Sequence, residues 1–396
     1  MQTTRVLRFG GMLIGGIVSS LLLAAFILPP LLDWNEYRSN VEKAAKNLLN
    51  MELKIDGDLE IRLLPVPTVL VNDMRLLSSS KDKNIATAGS LDVALSAMAL
   101  LSGNVEVSHL TLGAAKVSLI QSHSGDWAVE GFSFGESDAE FSGFQFDDLR
   151  IENSLVTLIQ SDGTVTDVSG LALNIDGMIP QGPINWTGNA TINAVAITLS
   201  GRFEPLLNGT DNSIKLRADF ADSTTELNGT LAGADFEGRL TVVSPSAALY
   251  EQALYKIMRQ RASTQLPTEP LEIDARLNLT ESKGSIETKR LMLGSTSARA
   301  EATLLGKDKQ HFTARLAIGT VNLDEWQYLQ PEKIDSINSN KQKNNSNLFG
   351  NIEVTVDAIS WHGEAVRQID LALGLNGETV NLTTLQALVP GGGTLS

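Results

Sequence analysis

Residues 53–63 read LKIDGDLEIRL, an alternation of apolar and charged side chains that sets the fold class. Successive side chains of a β-strand point to opposite faces of the sheet, so a period of two separates apolar from charged positions. The apolar set here is Leu53, Ile55, Leu59, Ile61 and Leu63, with Gly57 in the same register. The stretch therefore predicts strands with one dry face and one wet face.

The same alternation returns far along the chain. Its later apolar positions are Leu271, Ile273, Ala275 and Leu277, then Ile352, Val354 and Val356, then Leu371 and Leu373. Turn-forming sequences such as Ser161-Asp162-Gly163 separate these segments. We therefore predict a mainly β fold, a long antiparallel and twisted sheet with few helices. One of these helices is a helical insertion near residues 246–265.

The continuous apolar face of such a sheet needs a cover. The sheet can close on itself, pack on a second sheet, or hold an apolar ligand in a groove. Aromatic residues make up only 5% of the chain, so the face is mainly aliphatic and suits acyl chains better than ring ligands. An ordinary core filled by its own side chains explains the same pattern, and the residues leave both interpretations open. In the interpretation with a bound apolar ligand, the apolar positions given above line the groove.

Residues 9–32 are the predicted membrane anchor. They contain no charged side chain, and 24 residues at about 1.5 Å each cross a hydrocarbon core of roughly 30 Å. Arg5 and Arg8 precede this stretch and place residues 1–8 in the cytoplasm, because positive charge stays on that side. A cleaved signal peptide is the alternative, but its apolar core would be shorter. We expect a retained single-pass helix with the body outside.

Small residues recur within the predicted anchor. Gly11, Gly15 and Ser19 are spaced by four residues, which puts them on one helix face and allows close helix packing in lipid. The alternative is that these small residues simply face lipid.

Residues 33–50 predict a second, amphipathic helix with Asp33 as its N-cap. Its apolar positions at spacings of three and four are Tyr37, Val41, Ala44, Ala45, Leu48 and Leu49. Such a helix lies on the membrane or plugs the end of the following sheet. We favour the plug, because an apolar stripe needs burial.

Charge and composition exclude several classes of function. The formal net charge is -15 with scattered acidic residues, so nucleic acid is not an expected partner. The chain has no cysteine, which excludes disulfides and thiolate chemistry. Its four histidines show no paired spacing for zinc, and no nucleophile motif occurs. We expect no catalytic residue, no metal site, no cofactor and no enzymatic activity.

The C-terminal part contains a polar stretch and then further strands. Residues 330–347 are rich in Asn and Ser without periodicity, which predicts a linker or loop between a β body at 51–329 and a further β segment at 348–396. Because a strand restarts after the glycines at 391–393, we expect the sequence to be a truncated piece of a longer protein.

Several segments together resemble the AsmA family of envelope proteins. The more specific of them join Ile55-Asp56-Gly57-Asp58-Leu59 to Leu63-Leu64-Pro65-Val66-Pro67-Thr68-Val69. Others are Leu101-Ser102-Gly103, Ser124-Gly125-Asp126-Trp127, Val321-Asn322-Leu323-Asp324-Glu325-Trp326 and Pro390-Gly391-Gly392-Gly393.

The resemblance implies a fold and a function. It implies strands curled into a U-shaped apolar groove, as in bridge-like lipid transfer proteins, closed at one end by the N-terminal helix. It also implies an anchor in the cell inner membrane, a periplasmic body, and phospholipid carried between inner and outer membranes. Outer-membrane or other envelope proteins are further implied partners. The alternative is a scaffold for outer-membrane protein assembly with a solid β core.

Overall fold

The structure is a computed structural model. It describes residues 32–49, 52–77, 84–104, 106–122, 127–129, 147–177, 182–205, 211–233, 235–258, 266–306, 310–328, 348–376 and 379–395. These residues are mainly β-strand, as the alternation predicts, and the chain divides into two compact units, Met1–Asn193 and Ala194–Ser396. The predicted span at 9–32, apart from Leu32, lies outside the described residues, as do the cytoplasmic segment 1–8 and the linker at 330–347.

No membrane-spanning helix is found where the structure describes the chain, since every helix there is too short or too polar. The predicted anchor therefore stays a prediction.

The first unit begins with the 3₁₀ turn Trp34–Tyr37 and helix α1 (Arg38–Leu49), and a short helix α2 (Ala97–Leu101) follows its fourth strand. Its strands are β1 (Glu52–Ile55), β2 (Leu59–Arg62), β3 (Thr68–Leu77), β4 (Asn84–Leu95), β5 (Val107–Gly113), β6 (Lys116–Gln121), β7 (Trp127–Val129), β8 (Asp148–Ile159), β9 (Val165–Asp176) and β10 (Ile184–Ile192). Strands β1 and β2 both pair with β3, and β4 pairs with β3 and β5. All these pairs are antiparallel.

The second unit is a sheet whose strand order follows the chain. Its strands are β11 (Val195–Pro205), β12 (Asp211–Phe220), β13 (Ser223–Ala232), β14 (Asp235–Ser244), β15 (Leu271–Leu279), β16 (Lys283–Leu293), β17 (Thr296–Leu305), β18 (Gln310–Asn322), β19 (Leu348–Trp361), β20 (Glu364–Asn376), β21 (Thr379–Leu388) and β22 (Thr394–Leu395). Helix α3 (Ala247–Met258) is inserted between β14 and β15, within the predicted helical segment. Many of these strands have ten residues or more.

The prediction of a wholly antiparallel sheet is wrong at two places. Strand β8 runs parallel to both β5 and β6, and β19 runs parallel to β18. Parallel neighbours need a long connection that returns the chain to the same end of the sheet. Residues 122–147 and 323–347 provide connections of that length.

Each unit packs one helix on its apolar side. In the first unit Trp34 and Val41 pack against a buried cluster that includes Ile55, Leu59 and Met74. In the second unit Ala247 of α3 is fully buried with Val242 and Leu271. Asp33 is the N-cap of the 3₁₀ turn Trp34–Tyr37 that leads into α1, and its side chain accepts a hydrogen bond from the backbone N–H of Asn35.

Candidate functional site

The candidate site is the apolar face of the second unit's sheet. Residues directly opposite each other on paired strands point to the same face, so the strand register identifies its members. One row of partners crosses every strand from β11 to β21, and we call it the apolar row. Its members are Phe203, Ile214, Gly229, Gly238, Leu277, Ile286, Ala302, Ala314, Ile352, Leu373 and Leu382.

A second row crosses the same face four residues from the apolar row on most strands, and it is almost as apolar. Its members from β11 to β20 are Leu199, Ala218, Thr225, Val242, Ile273, Leu291, Ala298, Ile318, Val356 and Ile369. Thr225 is the single polar member of this row. The face is therefore aliphatic in two dimensions, along the strands and across them.

The structure brings the later predicted lining residues onto this one face. Leu271, Ile273, Ala275 and Leu277 alternate along β15, Ile352, Val354 and Val356 along β19, and Leu371 and Leu373 along β20. Val354 lies opposite Leu316 and Leu371. Among these nine, Leu271, Ala275 and Val356 are buried and the others are half-buried. Their role in lining a groove stays a prediction.

The earlier predicted lining residues lie in the first unit. Leu53 lies opposite Leu76 and Ile55 opposite Met74, while Leu59 and Ile61 face Val71 and Val69. Ile55 and Leu59 are buried beneath the α1 region, so these two side chains belong to a packed core. Leu63 lies just beyond β2 and is exposed. The predicted helix-packing residues Gly11, Gly15 and Ser19 lie outside the described residues.

The opposite face of the second unit's sheet carries ion pairs. Arg315 Nε lies 2.9 Å from a carboxylate oxygen of Glu353, and Arg290 Nη2 lies 2.8 Å from Glu272. Arg239 donates two hydrogen bonds to Asp274, and these bonds hold the pKa of the Asp274 carboxyl below its usual range. Charged side chains of both signs keep this face in water, so the two faces differ as the sequence predicts.

Helix α3 covers the apolar face at one end of the strands. The Tyr250 ring stacks on Phe220 with centroids 5.2 Å apart, and its hydroxyl lies 3.0 Å from the hydroxyl oxygen of Thr225. Burial raises the pKa of the Tyr250 hydroxyl. Apolar members far from α3, such as Leu316 and Leu373, are half-buried. The described part of the second unit has no other helix to cover them.

Some members of the face were not picked out from the sequence. Phe312, Ala314, Leu316 and Ile318 alternate with exposed residues along β18 and are half-buried. The signal was present, because residues 311–318 read HFTARLAI with the same period of two. Alanine at position 314 on this face and at position 317 on the opposite face weakens the apolar contrast that marks a strand face.

The described residues contain no group of three acidic or histidine side chains able to hold a metal ion. The second unit carries a broad apolar surface on one face of its sheet and ion pairs on the other.

Comparison with known proteins supports the resemblance over the N-terminal part of the chain. The model of the AsmA family matches residues 4–133, so the resemblance inferred from the sequence is confirmed over that segment. Neither a curated protein nor a solved structure matches the chain. The family match is consistent with an envelope protein, whereas the second unit lies outside the matched segment.

Proposed function

We propose that this protein is anchored in the inner membrane and carries phospholipid acyl chains through the periplasm along the apolar face of its second unit. The observation that carries the proposal is the apolar row, which crosses eleven strands without a charged side chain. Ten strand spacings of about 4.8 Å give a path of roughly 48 Å across the sheet.

The chemistry of the face favours an acyl chain as its ligand. Leu, Ile, Val and Ala predominate in both rows. An aliphatic surface can contact a flexible hydrocarbon chain along its length, and it offers no site shaped for an aromatic ring. Half-buried apolar side chains retain contact with water, and an acyl chain would remove that contact at a gain of about 25 cal/mol per Å².

The anchor is the second part of the proposal. The uncharged stretch at 9–32 follows Arg5 and Arg8, and the AsmA family match begins at residue 4, so it includes this stretch. A single-pass helix with its N-terminus inside would place the strand-rich body on the outer side of the inner membrane. Phospholipid and the inner membrane are then the expected partners.

Native mass spectrometry of the full chain, extracted in mild detergent, tests the carried ligand. We expect phospholipid to remain bound. A benzophenone amino acid in place of Leu316, on the apolar face, should crosslink to that lipid. The matched control is Ala317, which follows it on β18, is exposed and points to the charged face. Equal crosslinking at both positions, or no copurifying phospholipid, would contradict the proposal.

A charge on the face separates a lipid carrier from a scaffold with a solid core. Leu316→Asp should lose bound phospholipid while the protein keeps its circular dichroism spectrum, because a half-buried site on an open face can hydrate a carboxylate. In a solid core the same change would unfold the unit, because it buries an unpaired charge. Ala317→Asp, opposite Arg299 on β17, should leave both lipid and fold unchanged.

A further inference from the structure

Two connections lie side by side at one end of the first unit. Residues 63–67 join β2 to β3, and residues 96–104 lead from β4 through α2 toward β5. The backbone N–H of Leu95 donates to the carbonyl oxygen of Pro67 at 2.8 Å, which holds the two connections together. We call residues 63–67 and 96–104 the apolar tip.

The apolar tip exposes large apolar side chains and contains no charged residue. Leu101 is 84% exposed and Met98 77%, while Val66 and Leu63 are 45% and 40% exposed. Neighbouring apolar residues that are this exposed mark an interaction surface rather than a core.

The polar backbone of α2 is satisfied within the tip. The Ser96 side chain accepts a hydrogen bond from the N–H of Ala99 at 3.3 Å, and the N–H of Asn104 donates to the Ala99 carbonyl at 2.9 Å. Capped in this way, the short helix presents side chains rather than open backbone groups to its surroundings. A surface of this kind can enter an apolar medium with little free-energy cost from desolvating polar groups.

The direction of α1 shows where the chain enters the first unit. Asn35 accepts a hydrogen bond from the N–H of Leu59 at the start of β2, whereas Glu42 accepts one from the N–H of Ile55 at the end of β1. The chain thus runs from the β2 side toward the β1 side. Leu32 therefore lies at the end of the unit that β2 approaches, and β2 leads into the apolar tip roughly 13 Å beyond Leu59.

We propose that the apolar tip inserts into the phospholipid bilayer that holds the anchor, and so forms a second membrane contact beside it. The uncharged stretch at 9–32 ends at Leu32, on the same side of the unit as the tip. Tyr37 at this end is 50% exposed, and tyrosine is of the kind that favours a membrane interface. The inference rests on the anchor of the proposed function and is independent of the carried lipid.

Insertion is driven by apolar contact rather than by charge. The tip carries no cation, the adjacent Arg62 is paired with Glu60 at 2.9 Å, and the nearby start of β8 carries Asp147 and Asp148, so this end has no net positive charge to attract anionic headgroups. We therefore expect insertion into neutral phosphatidylcholine vesicles, unaffected by added salt.

Single-cysteine labelling of the full chain tests this contact, and the cysteine-free sequence makes each label unique. Met98→Cys carries an environment-sensitive fluorophore in phosphatidylcholine vesicles containing nitroxide-labelled lipid. The matched control is Val165→Cys, because Val165 is 42% exposed and follows the end of β8. Since β8 runs parallel to β5, this position lies at the opposite end of the first unit.

We expect a blue shift and nitroxide quenching at Met98→Cys and neither at Val165→Cys. In a Val66→Cys reporter, adding Met98→Asp and Leu101→Asp should abolish quenching while the protein still floats with the vesicles. Equal, water-like signals at positions 98 and 165 in floating protein would overturn the tip contact alone. Protein that does not float would overturn the anchor as well, and native mass spectrometry reports separately on the carried lipid.

Discussion

A pair of glycines on the apolar face shows how closely single residues fit in the second unit. Gly229 and Gly238 lie opposite each other on β13 and β14, and the buried Phe236 ring lies over both. A Cβ added at Gly229 would stand 2.6 Å from Phe236 Cζ, and one at Gly238 would stand 2.6 Å from the backbone oxygen of Asn228. The ring occupies the space that two side chains would need.

Gly238→Ala should therefore destabilise the protein by about 1 to 3 kcal/mol, because the backbone oxygen cannot move aside without breaking the strand pairing. Urea unfolding measures the change. The matched control is Gly374→Ala, where the added Cβ would meet Thr383 at an ordinary 3.8 Å. That control should be neutral or slightly stabilising. Equal losses for the two variants would show that the close approach of the Asn228 backbone oxygen to Gly238 does not limit the fit.

Ion pairs on the charged face predict a dependence of stability on acidity. Hydrogen bonds from Arg217 and Arg239 hold the pKa values of Asp219 and Asp274 below their usual range. Their contribution to stability is complete above the unfolded-state pKa of about 3.9 and is lost as the pH falls through the lower folded-state values. We expect the urea concentration at the midpoint of unfolding to decrease as the pH falls below about 4.

Asp274→Asn is the control for this pH effect. The variant should be less stable at pH 6 and should lose less on acidification than the parent protein, because its amide does not titrate. Identical pH profiles would mean that the Arg239–Asp274 pair contributes nothing measurable.

Among the elements, helix α1 accepts a hydrogen bond through a side chain from the edge of the first unit's sheet. Glu42 Oε1 accepts a hydrogen bond of 2.9 Å from the N–H of the buried residue Ile55. Glu42→Ala should leave this N–H unsatisfied and cost about 1 to 3 kcal/mol. Hydrogen exchange at the Ile55 amide measures the effect directly. Glu42→Gln keeps an acceptor and should retain slow exchange, whereas fast exchange in both variants would mean that the carboxylate charge is required.

The elements also show what the sequence could and could not predict. The alternation along β15, β19 and β20 placed nine apolar residues on one face, because a strand's period is local. The hairpin turn at Ala221 and Asp222 was not predicted, since both adopt positive φ angles of 49° and 56° without glycine. The parallel pairing of β18 with β19 was also missed, because it depends on the path of a long connection.

At the scale of the whole molecule, bound lipid should act as a stabilising ligand. A ligand that binds only the folded state adds about 2.7 kcal/mol at a concentration one hundred times its dissociation constant. We expect the melting temperature of delipidated protein to rise when phospholipid is restored. Leu316→Asp should lose this response and Ala317→Asp should keep it. A rise of equal size in both variants would place the stabilising lipid elsewhere than on the apolar face.

The apolar row has a consequence for movement along it. From Leu277 to Leu382, neighbouring members have the same number of side-chain carbons or differ by three, which is about 2.4 kcal/mol at about 0.8 kcal/mol per methylene. An acyl chain would contact several members at once, so these differences would partly average out and the chain could diffuse in one dimension along the row. The alternation of larger and smaller members has no direction, so net flow along the row must be set by how fast lipid is loaded at one end and removed at the other.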